Sequence, residues 1–194
     1  SNQVGYASLA ATPLARSDAR PAQAVEVTSA GGMYAQQIYI VANEQGTGVN
    51  LGGSLRAGSG GLTVDAAGNL QVAGSVQSGA AVVMSAAQIK ASQAKMAADG
   101  LLVLQSGAGM SLDRSELQSA DMLLSSGGDL QANGTRLNVR GDMRLSSAGE
   151  ATITAGSLAA GGQVSLQSEG ELTIASTGSA APPTCISQNR AVVR

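Results

Sequence analysis

The sequence contains no histidine, phenylalanine or tryptophan, and only three tyrosines, four prolines and one cysteine among 194 residues. Without histidine, every His-dependent catalytic triad and every His-containing metal cluster is excluded. Aromatics make up 2% of the chain, so the stacking platform used by single-strand nucleic-acid binders is missing. Charge is sparse as well. Eleven Lys and Arg against thirteen Asp and Glu give a net charge of -2, with no basic footprint for nucleic acid. The lone Cys185 rules out an internal disulfide framework, and in its Pro-rich surroundings it reads as a plain free thiol. No apolar run approaches the ~18 residues of a membrane-spanning helix, and no signal-peptide pattern opens the sequence. An exported chain of this kind would carry its signal upstream.

What the chain does have is small residues and a period. Large apolar residues two apart recur at Leu62/Val64, Val82/Met84, Leu102/Leu104, Met122/Leu124, Met143/Leu145 and Val164/Leu166, in steps of 20, 20, 20, 21 and 21. A second set, Leu70/Val72, Ile89/Ala91, Met110/Leu112, Leu130/Ala132, Ala151/Ile153 and Leu172/Ile174, steps by 19, 21, 20, 21 and 21. A third anchor falls at Leu55, Val76, Met96, Leu117, Leu137 and Leu158. Fixed periods of this length mark a solenoid, and period-2 anchors without helical spacing make it a β-solenoid. The expected fold is therefore all-β, with three short strands per turn of about 20–21 residues, each paired in parallel with its counterpart one turn on. One turn has too little core to order itself, so stability belongs to the stack.

Other rows follow the same register. Ser106, Ser126, Ser147 and Ser168 stand at equivalent places after the first strand, where their hydroxyls are expected to form a ladder. Lys95, Glu116 and Arg136 stack with alternating sign, which favours pairing by a few tenths to about 1 kcal/mol. The corner glycines recur with the period, so turn geometry explains them better than a phosphate loop.

Taken in order, residues 1–24 read as an irregular loop or cap, with Pro13, Pro21 and no sustained periodicity. Val25 and Val27 suggest a strand, and Met33/Ala35 and Val49/Leu51 already sit on the repeat. Ile38/Ile40 precedes Leu62/Val64 by 24 residues, which places about three extra residues in the loop between Asn43 and Gly48. Residues 85–100 conflict with themselves: their Ala, Gln and Lys content favours helix, yet Ile89, Ala91 and Met96 keep the register, and strand is the expectation. Beyond Thr177 the period stops, and residues 178–194 read as a disordered tail or an appended remnant.

Gly31-Gly32-Met33-Tyr34-Ala35, then Ile38 and Ile40, then Glu44 followed by Gly46, Gly48 and Val49, then Gly53 and Leu55, resemble the end of the secretion domain of two-partner secretion exoproteins. That family includes filamentous haemagglutinin-type adhesins, large haemolysins and contact-dependent growth inhibition proteins of Gram-negative bacteria. Downstream units such as Gly128-Asp129-Leu130-Gln131-Ala132 and Gly170-Glu171-Leu172-Thr173-Ile174 look like its haemagglutinin repeats. The resemblance covers about residues 25–177 and implies a right-handed parallel β-helix: residues 25–60 as the end of the secretion-type domain with the first solenoid turns, and residues 61–177 as a repeat shaft. It also implies secretion to the outer face of a Gram-negative outer membrane, through a two-partner secretion transporter that engages an upstream segment. The family's Asn-Pro-Asn motifs do not occur, which fits an exit from that domain.

Two chemical alternatives arise from the charged residues. Asp129, Glu150 and Glu171 form a row of like charges, and stacked carboxylates can share Ca²⁺ through oxygen ligands, but the Gly-Gly-x-Gly-x-Asp calcium repeat is missing. Asp113, Arg114 and Glu116 are the dense mid-ladder cluster that a polysaccharide-cleaving β-helix enzyme would need, yet neither cleft-building insertions nor aromatic sugar platforms accompany them. A solvated stripe and a surface turn are the expected readings. No residue is assigned a catalytic, cofactor or metal role, and the expected function is non-enzymatic: a structural shaft, with an adhesive module for host glycan or a bacterial receptor as the alternative.

Overall fold

A computed structural model describes residues 2–4, 11–13, 23–154, 156–175 and 191–193, with side chains placed for 23–154 and 156–175. Among the described residues every regular element is a strand. The chain coils into a parallel β-solenoid with three faces per turn.

The first face stacks Ile38, Leu62, Val82, Leu102, Met122, Met143 and Val164, each in register with the next. The second stacks Val25, Val49, Leu70, Ile89, Met110, Leu130, Ala151 and Leu172. The third, a seven-stranded sheet of its own, stacks Met33, Leu55, Val76, Met96, Leu117, Leu137 and Leu158. Every apolar anchor of the sequence thus meets its counterpart one turn on. Because side chains alternate across a strand, the residue two beyond each anchor also points inward: Val64, Met84, Leu104, Leu124, Leu145 and Leu166 form one file, each 0% exposed. That file, with the matching files from the other two faces, is a single continuous core.

Departures from the mean period have local causes. The three extra residues of the early turn lie where expected, between the strands Ile38–Ala42 and Gly48–Leu51, in a turn closed by Thr47 N–H donating to the Glu44 carbonyl at 3.1 Å. Gly46 turns that loop with φ at +80°, a conformation open to glycine. The 19-residue step comes from a β-bulge. Ala66 pairs with Ala86 and Asn69 with Gln88, so Ala67 and Gly68 oppose Ala87 alone.

Residues 85–100 are strand, within Val82–Ser92 and Lys95–Ala98. Ile89 at 0%, Ala91 at 2% and Met96 at 1% exposure show what outweighs helix propensity here: ladders on both sides and burial between two turns. In the first and last stretches the described residues are short strands: Asn2–Val4 pairs antiparallel with Ala11–Pro13, and Ala191–Val193 pairs in parallel with Leu172–Ala175. Cys185 lies outside the described residues.

The serine row differs from a ladder. Along the inward column at the end of the first face, Ala42, Ala66 and Ala86 give way to Ser106, Ser126, Ser147 and Ser168. Alanine at 66 and 86 coincides with strands that run unbroken around the corner, Leu62–Val72 and Val82–Ser92. Serine coincides with corners that break. The hydroxyls there are second donors to carbonyls that already accept backbone N–H groups: Ser147 Oγ donates toward Gly128 O at 2.7 Å and Glu150 O at 3.1 Å, and Ser168 Oγ toward Gly149 O at 2.7 Å, beside the N–H groups of Gly149, Leu130 and Gly170. Only Ser106 and Ser126 bond each other, at 3.3 Å. A carbonyl has two lone pairs, so the serines act as additional ties between the corners of neighbouring turns. Ser119 Oγ is the opposite case, a buried hydroxyl with no partner among the described residues. Ser147→Ala is expected to cost about 0.5–1.5 kcal/mol, the net worth of a hydrogen bond whose acceptors keep their backbone donors, whereas Ser119→Ala is expected to be neutral or slightly stabilising. Urea midpoints of the two variants check this.

Candidate functional site

The outward sides of the three faces carry whatever chemistry the rod has. On the first face the central outward column begins Tyr39, Thr63, Val83, Val103 and Leu123, then turns polar at Arg144 and Ser165. On the second face the corresponding column is polar throughout, from Glu26 and Asn50 through Gln71, Lys90 and Gln131 to Thr173. On the third face Lys95, Glu116 and Arg136 stand in register on the exposed side, as the sequence suggests.

The acidic row is in register too, and it is part of the corner. Met110, Leu130 and Ala151 donate their N–H groups to the carbonyls of Asp129, Glu150 and Glu171, which places those three residues one above another on the exposed side. Asp129 Oδ1 accepts the Glu150 N–H at 3.0 Å. The same device recurs at the corner before the first face, where Asp121 Oδ1 accepts the Asp142 N–H at 2.9 Å and Asp142 Oδ1 accepts the Gln163 N–H at 2.8 Å. A carboxylate in one turn thus fastens the backbone of the next. Among the described residues, no group of three or more Cys, Asp or Glu is placed to hold a metal ion.

The Asp113, Arg114 and Glu116 cluster is the corner between the second and third faces. Arg114 adopts φ of +47°, and its equivalents one turn either side, Gln93 at +55° and Gly134 at +62°, share the left-handed conformation. In each, the corner N–H donates to a carbonyl of the following turn: Gln93 to Asp113 at 2.8 Å, Arg114 to Asn133 at 2.7 Å, Gly134 to Thr154 at 2.8 Å. Repetition of that geometry in three turns explains the cluster by backbone direction. Asp113 ends one strand and Glu116 opens the next, on either side of the buried Ser115.

Two exposed aromatics escaped sequence reasoning. Tyr34 is 69% and Tyr39 68% exposed, on either side of the corner at residues 36–37, with the Tyr34 ring folded back over Gly32. The signal was available: both sit at outward parity between the inward pairs Met33/Ala35 and Ile38/Ile40.

A rod of stacked parallel turns whose strands are also sequence repeats defines the class, a repeat β-solenoid. A family model, haemagglutinin repeat, matches residues 4–106, 87–147 and 146–180, and this chain belongs to that family. The resemblance drawn from its sequence is thereby borne out. Among curated proteins, it is similar to tRNA nuclease CdiA-2 of Burkholderia pseudomallei strain 1026b, 43% identical over 74 residues, 38% of this chain and 2% of that protein. It is also similar to tRNA nuclease CdiA of Yersinia mollaretii, 34% identical over 119 residues, 61% of this chain and 4% of that protein. A third relative is tRNA nuclease CdiA of Escherichia coli strain NC101, 47% identical over 60 residues, 31% of this chain and 2% of that protein. The matched regions are thus a few per cent of these relatives' length. No solved structure matches this chain.

Proposed function

We propose that this chain is a shaft segment of a large exoprotein, displayed on the outer face of a Gram-negative cell after export through a two-partner secretion transporter that engages an upstream segment. The observation that carries it is the unbroken register from Ile38 to Val164 on the first face: hydrogen bonds and core run continuously along the axis. Each added turn extends reach by about 4.8 Å. The work of such a segment is geometric, holding a distal part of the protein away from the membrane. The nuclease activity in the relatives' names then belongs to other parts of those proteins, in keeping with matches of 2% to 4% of their length. Folding by addition of successive turns suits a chain that emerges through a pore in order.

An antibody raised against this chain tests the proposal on intact cells producing the parent protein. Staining is expected when the partner transporter is present and absent when its gene is deleted. Staining that ignores the transporter, or none in either strain, contradicts it.

A further inference from the structure

The outer side of the first face is apolar along its middle turns. Val83, Val103 and Leu123 stand in register in the central outward column, and Tyr39 heads the same column two turns before Val83. Tyr39 at 68%, Val41 at 42% and Leu101 at 41% exposure belong to this face, three of the four large hydrophobics that are exposed among the described residues. The core does not need them there, since Ile38, Ile40, Leu102 and Leu104 of the same strands already point inward. Nor does strand formation. The matching column of the third face runs Arg56, Gln77, Ala97, Gln118 and Asn138 after Tyr34.

We propose that this outer side is an interface between two copies of the chain, packed face to face with their axes antiparallel. A two-fold axis lying along the strands, between the turns of Val83 and Val103, sets the register. It brings Val83 of one copy against Val103 of the other, Thr63 against Leu123 and Tyr39 against Arg144. The contact is self-complementary, as a two-fold interface must be. Arg144, where the column turns polar, then lies over an exposed aromatic ring, and ring faces attract a guanidinium. In the flanking columns Asp121 meets Gly61, Asp142 meets Gln37 and Asp65 meets Ser125, so no carboxylate of one copy faces a carboxylate of the other. With parallel axes equivalent residues of the central column would meet, and Arg144 would face Arg144, a like-charge contact that selects against that arrangement.

The area sets the strength. In this register about six turns overlap at ~4.8 Å each, across strands of about five residues at ~3.3 Å each, which gives on the order of 500 Å² per copy. That is the lower end for a specific interface, so the pair is reversible and needs high concentration. Its composition suits one all the same: an apolar centre with Ser85, Gln105 and Ser125 along one margin and Asp121 and Asp142 along the other. The interface is a property of this face and holds whether or not the transport route proposed above is right.

Sedimentation equilibrium of the whole chain in reducing buffer, from low micromolar to near-millimolar concentration, tests it. A monomer–dimer equilibrium is expected. Val103→Glu changes an outward side chain and leaves the core untouched, so it is expected to weaken the dimer at least tenfold with little change in the melting temperature of the monomer. Tyr39→Glu gives Arg144 an ion-pair partner and is expected to keep the dimer, whereas Tyr39→Lys sets two cations together and is expected to dimerise at least tenfold more weakly than Tyr39→Glu. This pair reads the register, because with parallel axes residue 39 would face its own equivalent and both variants would repel alike. A monomer at every concentration, assembly beyond the dimer, a dimer indifferent to Val103→Glu, or equal effects of the two Tyr39 variants would overturn the proposal.

Discussion

Leu104→Ala is expected to lower the stability of this chain by about 2–5 kcal/mol, and Leu104→Asp to abolish cooperative folding. Leu104 is 0% exposed and sits mid-stack, between Met84 in the turn before and Leu124 in the turn after, both also 0% exposed. Truncation leaves a cavity whose walls are rungs of hydrogen-bonded ladders and cannot collapse inward, so the loss belongs at the upper part of the range for Leu→Ala. An aspartate in the same place would desolvate a charge with no partner, which exceeds the stability of most domains of this size. Position in the stack makes the effect larger still: a weakened central turn uncouples the turns on either side, because each turn is stable only through its neighbours. Chemical denaturation followed by circular dichroism reads the first variant, and loss of the β-sheet spectrum reads the second.

Gly74→Ala is expected to be nearly as damaging although it adds one methyl group. Gly74 occupies the corner before the third face, stacked over Gly53, and a Cβ built there would lie 1.9 Å from the Gly53 carbonyl oxygen. That oxygen is backbone in a ladder, so relief requires separating two turns. Overpacking costs about 1–3 kcal/mol where side chains can adjust, and more is expected here. Gly107→Ala supplies the control, since its Cβ has room. A fall in melting temperature for Gly74→Ala with little change for Gly107→Ala is the expected pattern, and equal effects would mean that crowding is not what fixes glycine at these corners.

The inside of the rod was legible in the sequence, and much of its outside was not. Inward teeth are large and aliphatic and recur with the period, so Val64 to Leu166 could be placed in one file, and the excess of three residues could be located before Gly48. Residues 85–100 show the same logic against local propensity, since Ile89 and Met96 needed burial more than their neighbours needed helix. The serines were harder. Ser147 and Ser168 recur like a ladder, but their partners are corner carbonyls of neighbouring turns, and where the corner falls depends on backbone path. Glycines were harder again. Gly107 and Gly127 are the same letter at the same corner of neighbouring turns, yet only distances distinguish the one that packing needs, Gly127, from the one it does not. Arg114 was misleading in the other direction, because a charged cluster draws attention to chemistry when its conformation is set by the corner it turns.

Excision of one whole turn tests most directly the view that the turn is the unit of this protein. Removing residues 122–142, 21 residues, joins Asp121 to Met143 and brings Leu102 against Met143, Met110 against Ala151 and Leu117 against Leu158, with every inward side chain still inward. Removing residues 122–131 instead puts Ala132, Asn133 and Gly134 where a first-face strand should be. The measurement is thermal unfolding by circular dichroism of the two deletions side by side. A β-sheet spectrum and cooperative melt for the whole-turn deletion, with neither for the half-turn deletion, is the expected result. If the two behave alike, both folded or both unfolded, the stacked-turn account is contradicted.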